Sequence, residues 1–342
     1  MSPIPNTQHA HIIPSKGITP TVQHDVPVPE ISETEVLVKI ESTGLNPVDF
    51  KIVEGYGNSW KYPLVLGSDA AGTITAVGSK VATHTVGERV FFQGNIGDSR
   101  ASTFQQYAAV PGNLVYRLPE NISFDQGATF GLAGMTSAVP LYKQLNIIPP
   151  WKNPEADYTG EFLLIWGGTT NVGHIAIQLA KKSGFTVITT AAPRYHDHLK
   201  SIGATHTIDY NAADALDQIH AIAGDGLTFA IDFVGAQSSQ VAFDALSKTK
   251  QASLVLLVSS PAELVGLKES HNKTAAWVYG TSFGNVELAQ EFWAYFVELL
   301  EKGEIVPLRT QVIGGLEKLN EGMENHSKGK VSYSKLIVHP FL

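Results

Sequence analysis

Residues 33–41, ETEVLVKIE, alternate polar and apolar side chains with the period of a half-buried strand. The same texture runs through AAGTITAVGSKVATHTVGERVFF (70–92), punctuated by Gly78 and Gly87, and through TFQQYAAVPGNLVYRLP (103–119). Short glycine-broken strands without long helices predict a compact, barrel-like β domain. The period changes near residue 125. SFDQGATFGLAGMTSAVPLYKQL has helical spacing and ends near Asn146, and IIPPWKNPEADYTG (147–160) then reads as a turn-rich loop. From Glu161 onward, apolar runs at 162–166, 186–190, 206–209, 228–233 and 252–258 alternate with helical segments near 172–183, 194–202, 213–223 and 238–247. Such a βαβ series predicts a mostly parallel sheet covered by helices. A final helix is expected over 286–302, and KGKVSYSKLIVHP, within 305–342, returns to β texture.

The segment FLLIWGGTTNVGHIAIQLAKKSGFTVITTAAPRY (162–195) reads as strand, small-residue turn, helix and second strand. A helix start leaves backbone N–H groups free to meet a pyrophosphate. Gly168 allows a turn conformation closed to other residues, and Gly173 permits close helix–strand packing. Thr170 stands at the usual middle glycine, which sets the backbone farther from the phosphates; Thr169, Thr170 or Asn171 offers side-chain donors in compensation. Gly168, Thr169, Thr170, Asn171, Val172 and Gly173 are therefore the expected phosphate-binding residues, with an ordinary tight turn as the alternative.

The second strand ends at Thr190 without the Asp or Glu that NAD sites use for the ribose 2′-hydroxyl; the first acid is Asp197. Arg194 can form a charge-assisted fork with a 2′-phosphate, Tyr195 can stack or donate, and Lys200 adds charge. The bland alternative for Arg194 is a solvent-facing helix start. NADPH is the expected cofactor. AIDFVG (230–235) reads as a later strand ending against it, with Asp232 a turn cap, and Ser259–Ser260 as a backbone approach to the nicotinamide end. The loop YGTSFGN (279–285), with Phe283, is expected over the cofactor.

A chain of 342 residues is long for one hydrophobic core, so two domains are expected. A net charge of −8 without a basic block argues against a nucleic-acid partner. Zero cysteines exclude disulfides, thiolate metal sites and a Cys nucleophile. The start, MSPIPNTQHAHIIPSKG, lacks the basic-then-apolar order of a secretory signal, and QASLVLLVSS is too short for a membrane span, so a cytoplasmic location is expected. No HExxH or other compact ligand set occurs among the histidines, HDH at 196–198 reads as a surface helix start, and no GxSxG elbow is present. Within GLNPVDFKIVEG (44–55) and YPLVLGSDAAGTITAVG (62–78), Asn46, Asp49, Lys51, Ser68 and Asp69 are site candidates. The structural alternatives are that Asp69 satisfies backbone donors and that Lys51 is a solvated helix residue.

GLNPVDFK, YPLVLGSDAAGTITAVG, VGERVFF, the 166–173 turn, IQLAKKSGFTVITT, LKSIGATHTIDY and the final β return together resemble the zinc-independent medium-chain dehydrogenase/reductase superfamily, quinone oxidoreductase-like in type. The likeness is closer to the fungal branch of trans-acting enoyl reductases of polyketide synthesis and yeast-type aldehyde reductase-like proteins, and PPWKNPEADYTG resembles an insertion of that branch. The resemblance implies an α/β chain: a GroES-like β-barrel catalytic domain (1–135), an inserted Rossmann NADP(H)-binding domain with a parallel sheet (136–304), and a return (305–342) that completes the first. It implies that Asn46 and Ser68 stand where zinc-dependent relatives carry a ligand cysteine and histidine, with Asp69 at their following Glu. Neither zinc site of those relatives is expected. Related fungal enoyl reductases place a lysine and a threonine beside nicotinamide and substrate, and Lys51 and Thr136 match those motif positions.

The expected activity is NADPH-dependent reduction of the C=C bond of an α,β-unsaturated carbonyl compound. Lys51 would meet the charge growing on the carbonyl oxygen or hold the cofactor ribose, and Asn46 and Thr136 would orient nicotinamide and substrate. The alternatives are zinc-free aldehyde or quinone reduction and an NADPH-binding protein with a structural or regulatory role. The expected partners are a small enone, enal or quinone, or the same group on a carrier protein, with no nucleic acid and no membrane.

Overall fold

A computed structural model describes residues 3–57, 60–258 and 272–342. The chain begins with β1 (Thr7–Ile13), β2 (Thr21–Pro27) and β3 (Glu35–Gly44), followed by α1 (Pro47–Val53). Next come β4 (Leu64–Val65), β5 (Asp69–Val77), β6 (Arg89–Gln93), β7 (Tyr107–Pro111), β8 (Val115–Arg117) and the single turn α2 (Phe124–Gly127). The helix α3 (Gly131–Ala138) widens into a π turn over Val139–Gln144. Pro140 sits in that widened turn, where its carbonyl accepts from Leu145 N at 2.9 Å.

The alternating half then follows the predicted order. Its elements are β9 (Phe162–Trp166), α4 (Asn171–Lys182), β10 (Thr186–Thr190), α5 (His196–Ser201), β11 (His206–Ile208), α6 (Ala215–Ala223), β12 (Leu227–Asp232), α7 (Gln237–Ala245), β13 (Ala252–Leu256) and β14 (Lys273–Trp277). The chain ends with α8 (Val286–Glu301), β15 (Thr310–Gly314), α9 (Leu319–Ser327) and β16 (Lys335–Val338). Ser259–Ser260 lie outside the described residues.

Two compact units result: the chain up to Leu132 together with Ser282–Leu342, and Ala133–Thr281. In the second unit six strands pair in the order β11-β10-β9-β12-β13-β14, every pair parallel. Helices must cover both faces of such a sheet, which is why β9, β10 and β12 are apolar runs rather than alternations. The order reverses beside β9, the place where a doubly wound sheet opens a crevice for a nucleotide. The loop 147–160 is tied down inside this unit: Trp151 packs edge-on against Tyr142 (4.8 Å between centroids) and Tyr158 stacks on Phe185 (4.6 Å).

In the first unit β15-β16-β3-β5-β6-β8 form one sheet, with β7 also paired to β3, and β2-β1-β4 form another. β16 joins β3 at Thr43 and Gly44, so the C-terminal return enters the same sheet as the N-terminal strands. Between β15 and β16 the structure places the helix α9, where the sequence reading had β texture. Its sequence, LNEGMENHS, is polar except for Leu319 and Met323, which are four apart and buried together. The strand β14 was likewise unanticipated, because KTAAW is half-exposed at the sheet edge and lacks an apolar run.

The aromatics of α8 belong to the first unit's core. Phe292, Trp293 and Phe296 are 0 % exposed; Trp293 packs edge-on against Phe91 at 5.1 Å and Phe296 against Phe130 at 5.3 Å. Among the described residues no helix is long and apolar enough to cross a membrane.

Candidate functional site

The predicted phosphate turn is built from the end of β9. The turn conformation that favours glycine falls on Gly167, with φ +93°, and not on Gly168, where the sequence reading expected it; Gly168 is needed instead for space, and the Gly167 N–H is held by Thr190 Oγ1 at 3.0 Å. Thr170 is the N-cap of α4. Its hydroxyl donates to Gly167 O at 2.8 Å and accepts from Gly173 N at 2.9 Å. The threonine in place of the middle glycine thus closes the turn, and its hydroxyl is committed there. A Cβ at Gly173 would overlap the Gly167 carbonyl oxygen, and one at Gly168 would overlap Thr189 Oγ1. Val234, just beyond β12, also reaches this turn, since a Cβ at Gly167 would come within 2.7 Å of its Cγ2. Asp232 is a cap: its carboxylate accepts from Val234 N (2.8 Å), Gly235 N (3.2 Å), Ser238 Oγ (2.8 Å) and Ser239 Oγ (2.8 Å).

A tight glycine turn opening a capped helix fits a dinucleotide pyrophosphate, which the start of α4 would meet with its N–H groups and the positive end of the helix dipole. At the end of β10 stand Ala191 and Ala192, then a 3₁₀ turn, Pro193–Tyr195. Arg194 is exposed, with its guanidinium 4.8 Å above the Tyr195 ring, and Lys200 is exposed on α5. The neighbouring His196 turns inward, its Nε2 at 2.9 Å from Ala191 O.

Thr136 lies in the same unit, half-buried on α3. The adjacent Ser137 donates to Val172 O at 3.0 Å, tying α3 to the first turn of α4. Gly280 crosses this helix so closely that a Cβ there would come within 2.8 Å of Thr136 Oγ1. Of the loop 279–285, Phe283 packs on a buried apolar cluster of the first unit that includes Val36, Ile40 and Phe92, and Ser282 is held by Gln93 Oε1.

The first unit gathers the other candidates into one buried polar cluster. Asn46 precedes α1 with extended backbone, Pro47 occupies the first helical position, and Asp49 Oδ2 accepts from Asn46 N at 2.7 Å. Asn46 Nδ2 donates to Asp69 Oδ2 at 2.7 Å and to Ser68 Oγ at 3.1 Å. Asp69 Oδ1 accepts from Leu132 N at 2.5 Å. Lys335, at the head of β16, donates to Asn46 Oδ1 at 2.5 Å and to Asp69 Oδ2 at 2.6 Å. The sequence reading missed Lys335: a lysine before an apolar run carries no sign of what its ammonium meets 289 residues away. Lys51, by contrast, is half-buried in the last turn of α1 and has no hydrogen-bond or ion-pair partner among the described residues. Asn46 and Lys51 lie in the first unit, and Thr136 and the phosphate turn in the second. Among the described residues no group of three or more His, Asp or Glu is placed to hold a metal ion.

Burial pushes the Asp49 carboxyl up to about 7, against the opposing hydrogen bond from Asn46 and the charge of Lys335. Burial lowers His11 to about 4, partly opposed by a hydrogen bond with Asn320, and lowers His326 to about 4, helped by the charge of Lys335. The two histidines bind fewer protons folded than unfolded, so their contribution is full above about pH 6.5 and is lost towards pH 4, about 3 kcal/mol each. Asp49 has the opposite sign: its contribution is full below about pH 4 and is lost as pH rises through 7. Two histidines outweigh one carboxyl, so the first unit is expected to be most stable near pH 6.5 and to weaken below pH 6. In thermal unfolding followed from pH 4 to 8, the double variant His11→Asn/His326→Asn should lose this acid limb and Asp49→Asn should steepen it. An unchanged acid limb in the histidine variant would refute the assignment.

Residues 32–120 match the family model of the alcohol dehydrogenase GroES-like domain, and residues 171–302 that of the zinc-binding dehydrogenases. The chain is 32% identical over 312 residues to a trans-enoyl reductase of Aspergillus japonicus, covering 89% of each chain. It is 31% identical over 350 residues to a dehydrogenase of Aspergillus niger, covering 97% of this chain and 99% of the relative. Among solved structures, a quinone oxidoreductase of Pseudomonas syringae pv. Tomato DC3000 superposes with a TM-score of 0.81 at 22% identity, over 98% of this chain and 100% of the other.

Proposed function

Because the chain belongs to the zinc-independent medium-chain dehydrogenase/reductase superfamily, as an NAD(P)H-dependent oxidoreductase with a GroES-like unit and a Rossmann unit, we propose that it reduces the C=C bond of α,β-unsaturated carbonyl compounds with NADPH. The observation that carries this reading is the half-buried Lys51 ammonium, which has no hydrogen-bond or ion-pair partner among the described residues and is carried on the same short helix whose start, Asn46, is engaged with Asp69 and Lys335. Bound NADPH would supply a hydride to the β-carbon, the C=C electron pair passing onto the carbonyl oxygen as an enolate, and a proton from solvent at the α-carbon would complete the saturated product. The chain's own task is then to meet negative charge on the carbonyl oxygen, and an oriented N–H donor in a water-poor site does this without reorganisation. Lys51 is the donor in this reading. Thr136, held near the phosphate turn by its neighbour Ser137, orients the nicotinamide, and Asn46 acts through the start of α1.

The relative named a trans-enoyl reductase supports alkene reduction, and the quinone oxidoreductase supports the broader chemistry of conjugated carbonyls. A carrier-bound enoyl thioester offers the same conjugated group on a larger partner. NADPH is preferred over NADH in this reading because β10 is followed by Ala191 and Ala192, without a carboxylate to repel a 2′-phosphate, and then by Arg194 in the 3₁₀ turn.

The test is NADPH oxidation with 2-alkenals, cyclic enones, an enoyl thioester and a quinone, run beside NADH, with products identified by mass spectrometry. A saturated aldehyde, ketone or thioester is the expected product; an unsaturated alcohol would move the assignment to carbonyl reduction. NADPH binding without turnover of any of these would favour a structural or regulatory role. In the same assay Arg194→Ala is expected to raise KM for NADPH about tenfold to a hundredfold and leave KM for NADH unchanged. Equal effects on both coenzymes would remove Arg194 from the 2′-phosphate site.

A further inference from the structure

Lys335 is 2 % exposed, and neither the sequence reading nor the proposed chemistry uses it. A lysine that deep persists only when its charge is paired and its protons find acceptors. Both conditions are met here, since Asp69 Oδ2 lies 2.6 Å and Asn46 Oδ1 2.5 Å from Nζ. The fold makes room for the side chain: a Cβ on Gly44 would stand 2.5 Å from Lys335 Cε. The two acceptors sit at the starts of different elements. Asn46 caps α1, and Asp69 opens β5 while its other oxygen holds the N–H of Leu132 on α3.

The helix α1 has only seven residues, too few to hold helical structure alone. It therefore depends on two anchors. One is apolar, with Ile52 in the same buried cluster as Leu319 and Met323 of α9. The other is Asn46 at the start of α1: its backbone N–H is held by Asp49 Oδ2 and its carbonyl accepts from Asp49 N, while its side-chain amide is fixed by Lys335 on one side and by Asp69 and Ser68 on the other. Lys51 hangs from this helix five residues beyond the cap.

We infer that Lys335 is a positioning residue: an internal cation, carried on β16, that locks the Asn46–Asp69 cluster and through it sets α1 and the Lys51 ammonium. The catalytic consequence rests on the role given to Lys51 above; the structural consequence does not. Removing the ion pair and removing the hold on Asn46 are separable, because Asp69→Asn abolishes the charge partner while leaving Lys335 bonded to Asn46.

The experiment compares the wild type, Asp69→Asn, Lys335→Met and the double variant Lys335→Met/Asp69→Asn. It reads melting temperature, hydrogen exchange of amides 47–53, and steady-state enone reduction. Lys335→Met leaves a buried carboxylate without its cation and Asp69→Asn a buried ammonium without its anion, so both should melt well below the wild type, and the double variant should recover much of that loss. The α1 amides should exchange faster in both variants that lack Lys335 than in Asp69→Asn. In the same two variants kcat should fall about tenfold to a hundredfold with KM for NADPH unchanged. Should Lys335→Met fail to fold, the double variant against Asp69→Asn carries the comparison. Slow α1 exchange in the double variant, or kcat returning with the melting temperature, would overturn the inference. If the wild type reduces no enone, the exchange measurement alone decides it, and the failure belongs to the proposed function.

Discussion

Replacing Lys51 with methionine is expected to lower kcat for enone reduction about a hundredfold to a thousandfold while KM for NADPH stays nearly unchanged. The magnitude is that of losing one oriented donor to a developing oxyanion. Methionine keeps the unbranched apolar stem, so the half-buried position on α1 stays filled and the fold is little disturbed. The change is confined to an ammonium that has no partner among the described residues, so no buried partner is orphaned by it. Steady-state kinetics with a cyclic enone decide the matter. A raised KM for NADPH at constant kcat would mean that Lys51 holds the cofactor ribose. Unaltered kinetics would leave it a solvated helix residue.

Gly173→Ala should abolish measurable NADPH binding and destabilise the second unit by about 1–3 kcal/mol or more. The added methyl would meet backbone on both sides, overlapping the Gly167 carbonyl oxygen and standing 2.9 Å from Gly168 Cα. Backbone cannot swing aside as a flexible side chain would, so the start of α4 must move away from β9. That movement breaks the Thr170 bridge between Gly167 O and Gly173 N, and with it the geometry of the first-turn N–H groups. Isothermal titration with NADPH and thermal unfolding of the same variant test both halves. Retained binding at wild-type affinity would show that the phosphates lie elsewhere.

Much of the second unit is legible in the sequence. Apolar runs separated by amphipathic segments admit few arrangements, and β9, β10, β12 and β13 fall within a residue or two of the patterns that predicted them. β14 was not legible, because an edge strand open to solvent needs no apolar run. In the first unit, short strands were readable from alternation, but α9 was hidden in a polar segment whose only buried anchors are Leu319 and Met323. That Phe292, Trp293 and Phe296 enter the core is not legible in the sequence, since helical spacing reports which residues share a face and not what covers it.

By itself the sequence determined local matters: a glycine turn between strand and helix, a second strand ending without an acid, and no cysteine. Each follows from backbone sterics or side-chain chemistry within a few residues. Tertiary structure decided what those groups meet. Thr170 became a bridge within the turn because β9 and α4 converge on it, and Asn46 became the hinge of an ion-paired cluster because β16 delivers Lys335 from the far end of the chain. The physical reason is that pairing a buried charge is a long-range condition. It is satisfied by whichever strand the sheet places alongside, and no pattern near either residue records that neighbour.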